Sequence, residues 1–141
     1  MRKINGLDFI LLVDDDDATN YLNQRVIRKA DINTTVEVAV NGREALEFLT
    51  NSGKFTNNQT LPQAGLIFLD INMPGMNGWE FLEAYKKLPE DQTRKIKVLM
   101  LTTSINPDEE KRAIDIPEVK GFIHKPLTAE KLERAINVYV F

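Results

Sequence analysis

Short unbroken apolar runs alternate with longer stretches in which apolar residues recur every three or four positions. The runs Phe9–Val13, Leu66–Leu69, Val98–Leu101 and Val119–Ile123 read as strands covered on both faces. Thr35–Val40 alternates and reads as an edge strand. Between the strands lie helical stripes: Leu22, Val26 and Ala30; Ala45, Phe48 and Leu49; Phe81, Leu82, Tyr85 and Leu88; and Leu132, Ala135, Ile136 and Tyr139. A further short helix is predicted from Pro107 to about Ile116, with Ala113 and Ile114 as its main apolar residues.

Capping chemistry agrees with these elements. Asn41 with Glu44 resembles a capping box. Asn106-Pro107 before Asp108-Glu109-Glu110 supplies an N-cap, a first-turn proline and acids at the positive helix end. Leu127 and Leu132 flank Thr128 at the spacing of a hydrophobic staple. Asn51–Gln63 is polar and aperiodic and reads as a long loop. Strands alternating with helices predict an α/β fold, a parallel sheet with right-handed crossovers. Ligands in such folds bind outside the carboxyl ends of the strands.

Those ends carry the reactive side chains. The first predicted strand leads into Asp14-Asp15-Asp16-Asp17, and the third ends at Asp70 before the Pro/Gly-rich Met73–Gly78. The fourth ends at Thr102-Thr103-Ser104 and the fifth at His124-Lys125-Pro126. Asp14, Asp15 and Asp70 at neighbouring tips would repel by about 4 kcal/mol per pair at ~4 Å and an effective dielectric near 20, so the cluster calls for a cation. All-oxygen ligation with open positions favours Mg2+. With Lys125 as a second positive charge and Thr102 as a hydroxyl donor, the set suits phosphoryl transfer onto a carboxylate.

Length and composition narrow the class. At 141 residues, 43% hydrophobic and 28% charged, the chain reads as one ordinary globular domain, 1–141, with a core at about 8–139. A net charge of −3 without a Lys/Arg cluster argues against nucleic acid as a partner. No run is long enough to span a membrane, and the N-terminus lacks the apolar core of a signal peptide. The absence of cysteine excludes a disulfide framework and a thiol nucleophile, and fits a cytoplasmic protein.

The sequence resembles a two-component response-regulator receiver domain from Asp8 to about Tyr139. The resemblance rests on Leu12-Val13-Asp14-Asp15, Leu69-Asp70-Ile71-Asn72-Met73-Pro74 with Gly78, Leu101-Thr102, and Lys125-Pro126. It implies a flavodoxin-like, doubly wound five-stranded sheet of order 2-1-3-4-5, standing alone without an output domain. It implies that Asp70 accepts a phosphoryl group from a histidine kinase or histidine phosphotransfer protein. Asp15, Asp70 and the backbone carbonyl of Asn72 would ligate Mg2+, with Asp14 acting through water. Lys125 and Thr102 would hold the phosphoryl oxygens, and Phe122 would take the switch-aromatic position, lacking a tyrosine hydroxyl. Asn72 and Ser104 stand where the family tunes loss of the phosphoryl group, and Lys125-Pro126 is expected to be cis. A downstream protein would read the face formed by the fourth helix, fifth strand and fifth helix, and a homodimer is compatible with the family. The loop at about 51–63 departs from the minimal family pattern.

Two rivals come from other classes. Asp15-Asp16-Asp17-Ala18-Thr19 matches the D-x-D-x-T pattern of haloacid-dehalogenase-like phosphatases, with Asp15 as nucleophile and Asp17 as general acid/base. That reading leaves Asp70–Gly78 without a role. A receiver-like module that takes no phosphate is the other. Asp16 and Asp17 read as helix caps, His124 as a strand-end polar residue, and Trp79 and Tyr85 as helix packing.

Overall fold

The computed structural model describes residues 1–57 and 60–141. Five parallel strands form one sheet: β1 (Phe9–Val13), β2 (Thr35–Ala39), β3 (Ala64–Leu69), β4 (Lys95–Thr102) and β5 (Val119–His124). Their order is β2-β1-β3-β4-β5, the predicted flavodoxin-like arrangement. The helices are α1 (Asp17–Lys29), α2 (Gly42–Thr50), α3 (Gly78–Tyr85), α4 (Pro107–Ile114) and α5 (Ala129–Ala135), which runs on into a π-helical turn, Ile136–Val140.

The period-two geometry of the strands divides the core into two layers. Phe9, Leu11, Val13, Ile67, Leu69, Val98 and Met100 face α2, α3 and Ala113 of α4. Ile10, Leu12, Leu66, Phe68, Leu99 and Leu101 face Ile27 of α1 and Leu132 and Ala135 of α5. Every central strand therefore needs apolar residues at consecutive positions, which is why the runs show no alternation.

The caps form largely as predicted. Asn41 accepts from the Glu44 amide at 2.9 Å, but Glu44 reaches back to the Val40 amide rather than to Asn41, so the box is incomplete. Asn106 accepts from Asp108, with Pro107 at the first helical position. Leu127 and Leu132 are both buried in one cluster around the Thr128 cap. A complete capping box joins Asn77 and Glu80 at the start of α3.

Three expectations need correction. β5 is an edge strand, so only Val119 is buried while Lys120 and His124 are exposed. In α1, Leu22 is 55% exposed; the buried positions are Asn20, Asn23 and Ile27. α4 ends at Ile114, which is 65% exposed, and Ile116 packs against the core in its place. Helix α4 gains a second attachment from Arg112, whose guanidinium lies 4.1 Å from the Trp79 ring of α3.

Asn58 and Gln59 of the predicted loop 51–63 lie outside the described residues, and the segments on either side of them are tied to the core. Gly53–Phe55 forms a 3-10 turn, and the buried Phe55 ring meets Phe48 edge-on at 5.2 Å. A helical turn at Glu90–Thr93, not anticipated from the sequence, carries the buried Gln92. Its Nε2 donates to the Leu49 carbonyl at 2.6 Å and to Pro62 at 3.1 Å. Gln92→Leu strips both carbonyls of this donor and should cost about 1–3 kcal/mol in urea unfolding. A change within about 0.5 kcal/mol, the scatter of a neutral surface substitution, would show that the clamp contributes nothing.

Candidate functional site

Strand order decides where the acids meet. β1 lies between β2 and β3, and the chain leaves β1 and β3 toward opposite sides of the sheet, which opens a crevice at their carboxyl ends. Val13 and Leu69 are register partners, so the residues that follow them, Asp14 and Asp70, emerge side by side. Thr102 pairs with His124 at the β4–β5 end, and the Lys125 amide donates to the Thr102 carbonyl at 2.9 Å. That bond brings the lysine in from the far edge.

One carboxylate oxygen from each of Asp14, Asp15 and Asp70 lies within 4.8 Å of the others. Asp14 is buried, Asp70 is 8% exposed and Asp15 is open to solvent. Lys125 Nζ donates to Asp14 Oδ2 at 2.6 Å and stands 3.6 Å from Asp70 Oδ1. Burial raises the Asp70 pKa to about 6, helped by the charge of Asp14 and opposed by Lys125. Burial works against the Lys125 ammonium, yet its contacts with Asp14 and Asp70 outweigh burial and raise its pKa. Converging anionic oxygens beside an open, solvent-facing carboxylate fit a hard divalent cation.

The loop after Asp70 holds it in place through backbone contacts. Gly78 donates its amide to the Ile71 carbonyl at 2.9 Å, and a Cβ there would stand 2.5 Å from the Asp70 carbonyl oxygen. Only glycine allows α3 to begin so close to Asp70. Gly75 adopts φ +73°, the left-handed region glycine enters freely. Met73 is buried beneath the loop, and Asn72 is exposed two residues after Asp70.

Thr102 is buried at the end of β4, and its Oγ1 accepts from the Ser104 amide at 3.1 Å. The Ser104 hydroxyl makes a short hydrogen bond to Glu109 and accepts from Asn106, which ties it to α4. Phe122 is half-buried against the layer that holds α4, with its ring edge-on to His124 at 5.5 Å. His124 is exposed and lies outside the acid cluster. Lys125-Pro126 is cis. Asp16 takes the N-cap position of α1, though its carboxylate accepts from the Thr19 hydroxyl at 2.6 Å rather than from a helix amide. That bond to Thr19 lowers the Asp16 pKa.

Sequence reasoning missed Asn20, whose buried Nδ2 donates to the Asp14 carbonyl at 2.8 Å. The available signal was its spacing with Asn23 and Ile27, a helical stripe hidden because two of its members are polar.

The model of the response regulator receiver domain family matches residues 10–137. The chain belongs to this family. It is 36% identical over 100 residues to response regulator Rcp1 of Synechocystis sp., covering 71% of this chain and 65% of that protein, just under two thirds of its length. The crystal structure of a two component response regulator from Cytophaga hutchinsonii superposes with a TM-score of 0.79 at 30% identity, covering 95% of this chain and 97% of that one. The Mn2+-bound form of Rcp1 gives 0.73 at 29% identity, covering 94% of each. The chain is thus a response regulator receiver domain of the two-component kind, and the phosphatase alternative is not favoured. Receiver domains work with histidine kinases or phosphotransfer proteins and bind Mg2+ or Mn2+ through an aspartate cluster. Among the described residues, no helix is long and apolar enough to cross a membrane.

Proposed function

We propose that Asp70 is the phospho-acceptor of this receiver and that residues 1–141 act as one cytoplasmic signalling unit. The reading is supported by one juxtaposition above all: Asp14, Asp15 and Asp70 converge, with Lys125 between two of them. An Asp70 oxygen attacks the phosphorus of a phosphohistidine on the kinase or phosphotransfer protein. The P–O bond forms as the P–N bond breaks, and the imidazole leaves with the bonding pair. Asp15, Asp70 and the Asn72 carbonyl would hold Mg2+, with Asp14 orienting bound water, in keeping with the Mn2+ form of the related Rcp1. When bound, the cation neutralises charge developing on the phosphoryl oxygens.

Lys125 exchanges its present carboxylate partners for a phosphoryl oxygen, and Thr102 donates its hydroxyl to another. Drawing Thr102 inward leaves space for Phe122 to repack. Phosphorylation biases the receiver only through contacts that differ between its two states. α4, β5 and α5 form the readout face for a downstream protein or for a second copy in a homodimer. Asn72 and Ser104 set the lifetime of the acyl phosphate, including its self-catalysed hydrolysis.

The test is the position of the adduct after exposure to a small phosphodonor with Mg2+, located by mass spectrometry. Modification at Asp70, lost in Asp70→Asn, is expected. Modification at Asp15 would instead revive the phosphatase reading, and an unmodified chain would support the inert module.

A further inference from the structure

Helix α1 buries two amides where its apolar residues were expected. Asn20 is 4% exposed and Asn23 5%, while Tyr21 and Leu22 beside them lie in solvent. Placing an amide in the interior is unfavourable unless its polar atoms are paired. Here the pairing is incomplete: Nδ2 of Asn20 is bonded, but its buried Oδ1 has no hydrogen-bond partner among the described residues. A leucine at position 20 would extend the Ile27 contact to the sheet without that cost. The amide therefore costs stability at a place where an apolar side chain would contribute it.

What Asn20 touches explains its presence. Its Nδ2 holds the carbonyl oxygen of Asp14 at 2.8 Å. The Asp14 amide is held in turn by the Ala39 carbonyl at 3.0 Å, so the backbone of Asp14 is tied at both ends. The Asp14 carbonyl belongs to the same rigid peptide plane as the Asp15 nitrogen. Fixing that oxygen sets the direction in which Asp15 leaves β1, and with it the reach of the solvent-exposed carboxylate in the cluster. Asn20 and Asn23 also close one narrow space with Asp14, Asp70, Phe68 and Leu101, which lies directly beneath the acids and admits no water-sized sphere. The amide group is thus the polar floor of the site.

We propose that Asn20 is a positioning residue for cation binding: its buried amide, bonded to the Asp14 carbonyl, orients the Asp14–Asp15 peptide so that Asp14, Asp15 and Asp70 converge. The inference rests on the reading of these acids as a Mg2+ site. Residues that orient metal ligands from behind typically change metal affinity by about 10–100-fold when replaced.

The experiment is a calorimetric titration of the phosphate-free receiver with MgCl2 or MnCl2, at a temperature where circular dichroism shows each protein folded. Asn20→Leu should bind the cation about tenfold more weakly than the native chain. Asn20→Ala, which also removes the donor but adds no bulk, is read in the same way and covers the case in which the leucine variant does not fold. Unchanged affinity in a folded variant overturns the proposal and leaves Asn20 a purely structural residue. A native chain that binds neither cation removes the metal reading itself, a result distinct from the first because it appears before any substitution.

Discussion

Asp70→Asn should be more stable than the native receiver at pH 7 without divalent cations, by about 2–3 kcal/mol. The folded Asp70 carboxyl titrates at about 6 against an ordinary value of 3.8, because burial and the neighbouring Asp14 charge penalise its ionised form. Between those two values the folded state binds more protons than the unfolded chain, so native stability falls as pH rises through this window. Below it both states are protonated and the penalty disappears. Asparagine carries no charge at any pH, so the variant's advantage should be small near pH 4, grow to about pH 6 and then level off. Urea melts across pH 4–8 measure this directly. Adding Mg2+ should narrow the gap, since a cation bound to the folded native site stabilises it by mass action. A gap that stays the same at every pH would mean that Asp70 is not a strained carboxylate.

Lys125→Met should slow labelling of Asp70 by a small phosphodonor about a hundredfold, the loss typical when one preorganised electrostatic contact to a developing charge is removed. The same substitution should tighten cation binding, because the ammonium now held 2.6 Å from Asp14 and 3.6 Å from Asp70 competes for the same oxygens. Asp70 would lose an attractive charge, so its pKa should move further above the ordinary carboxylate range. Opposite signs for rate and cation affinity are the signature to look for. A labelling rate within about threefold of the native chain, far short of the loss expected for such a contact, would show that Lys125 merely fills space.

Much of this protein is readable from residues a few positions apart. Hydrophobic period separates strands from helices, and Asn106-Pro107 and Thr128 with its leucines mark helix starts where the structure has them. The acids at the ends of the first and third strands are legible too, because a parallel sheet collects its strand ends on one edge. What failed was what depends on neighbours distant in the chain. Val119–Ile123 resembles a covered strand, yet among the described residues no strand pairs with its outer side. Leu22 and Ile114 fit apolar stripes, yet α1 and α4 are turned so that both face water.

By itself the sequence determined the five strands and the five main helices, the caps at Asn106 and Thr128, and the kinds of side chain at each tip, because those follow from local periodicity, backbone capping and charge. Only the tertiary structure decided that Lys125 pairs with Asp14 across 111 positions, that Gly78 leaves room for the Asp70 carbonyl, and that Asn20 supports the peptide between two acids. Each of these depends on strand order and helix rotation, set by the packing of two apolar layers on one sheet rather than by any short stretch of chain.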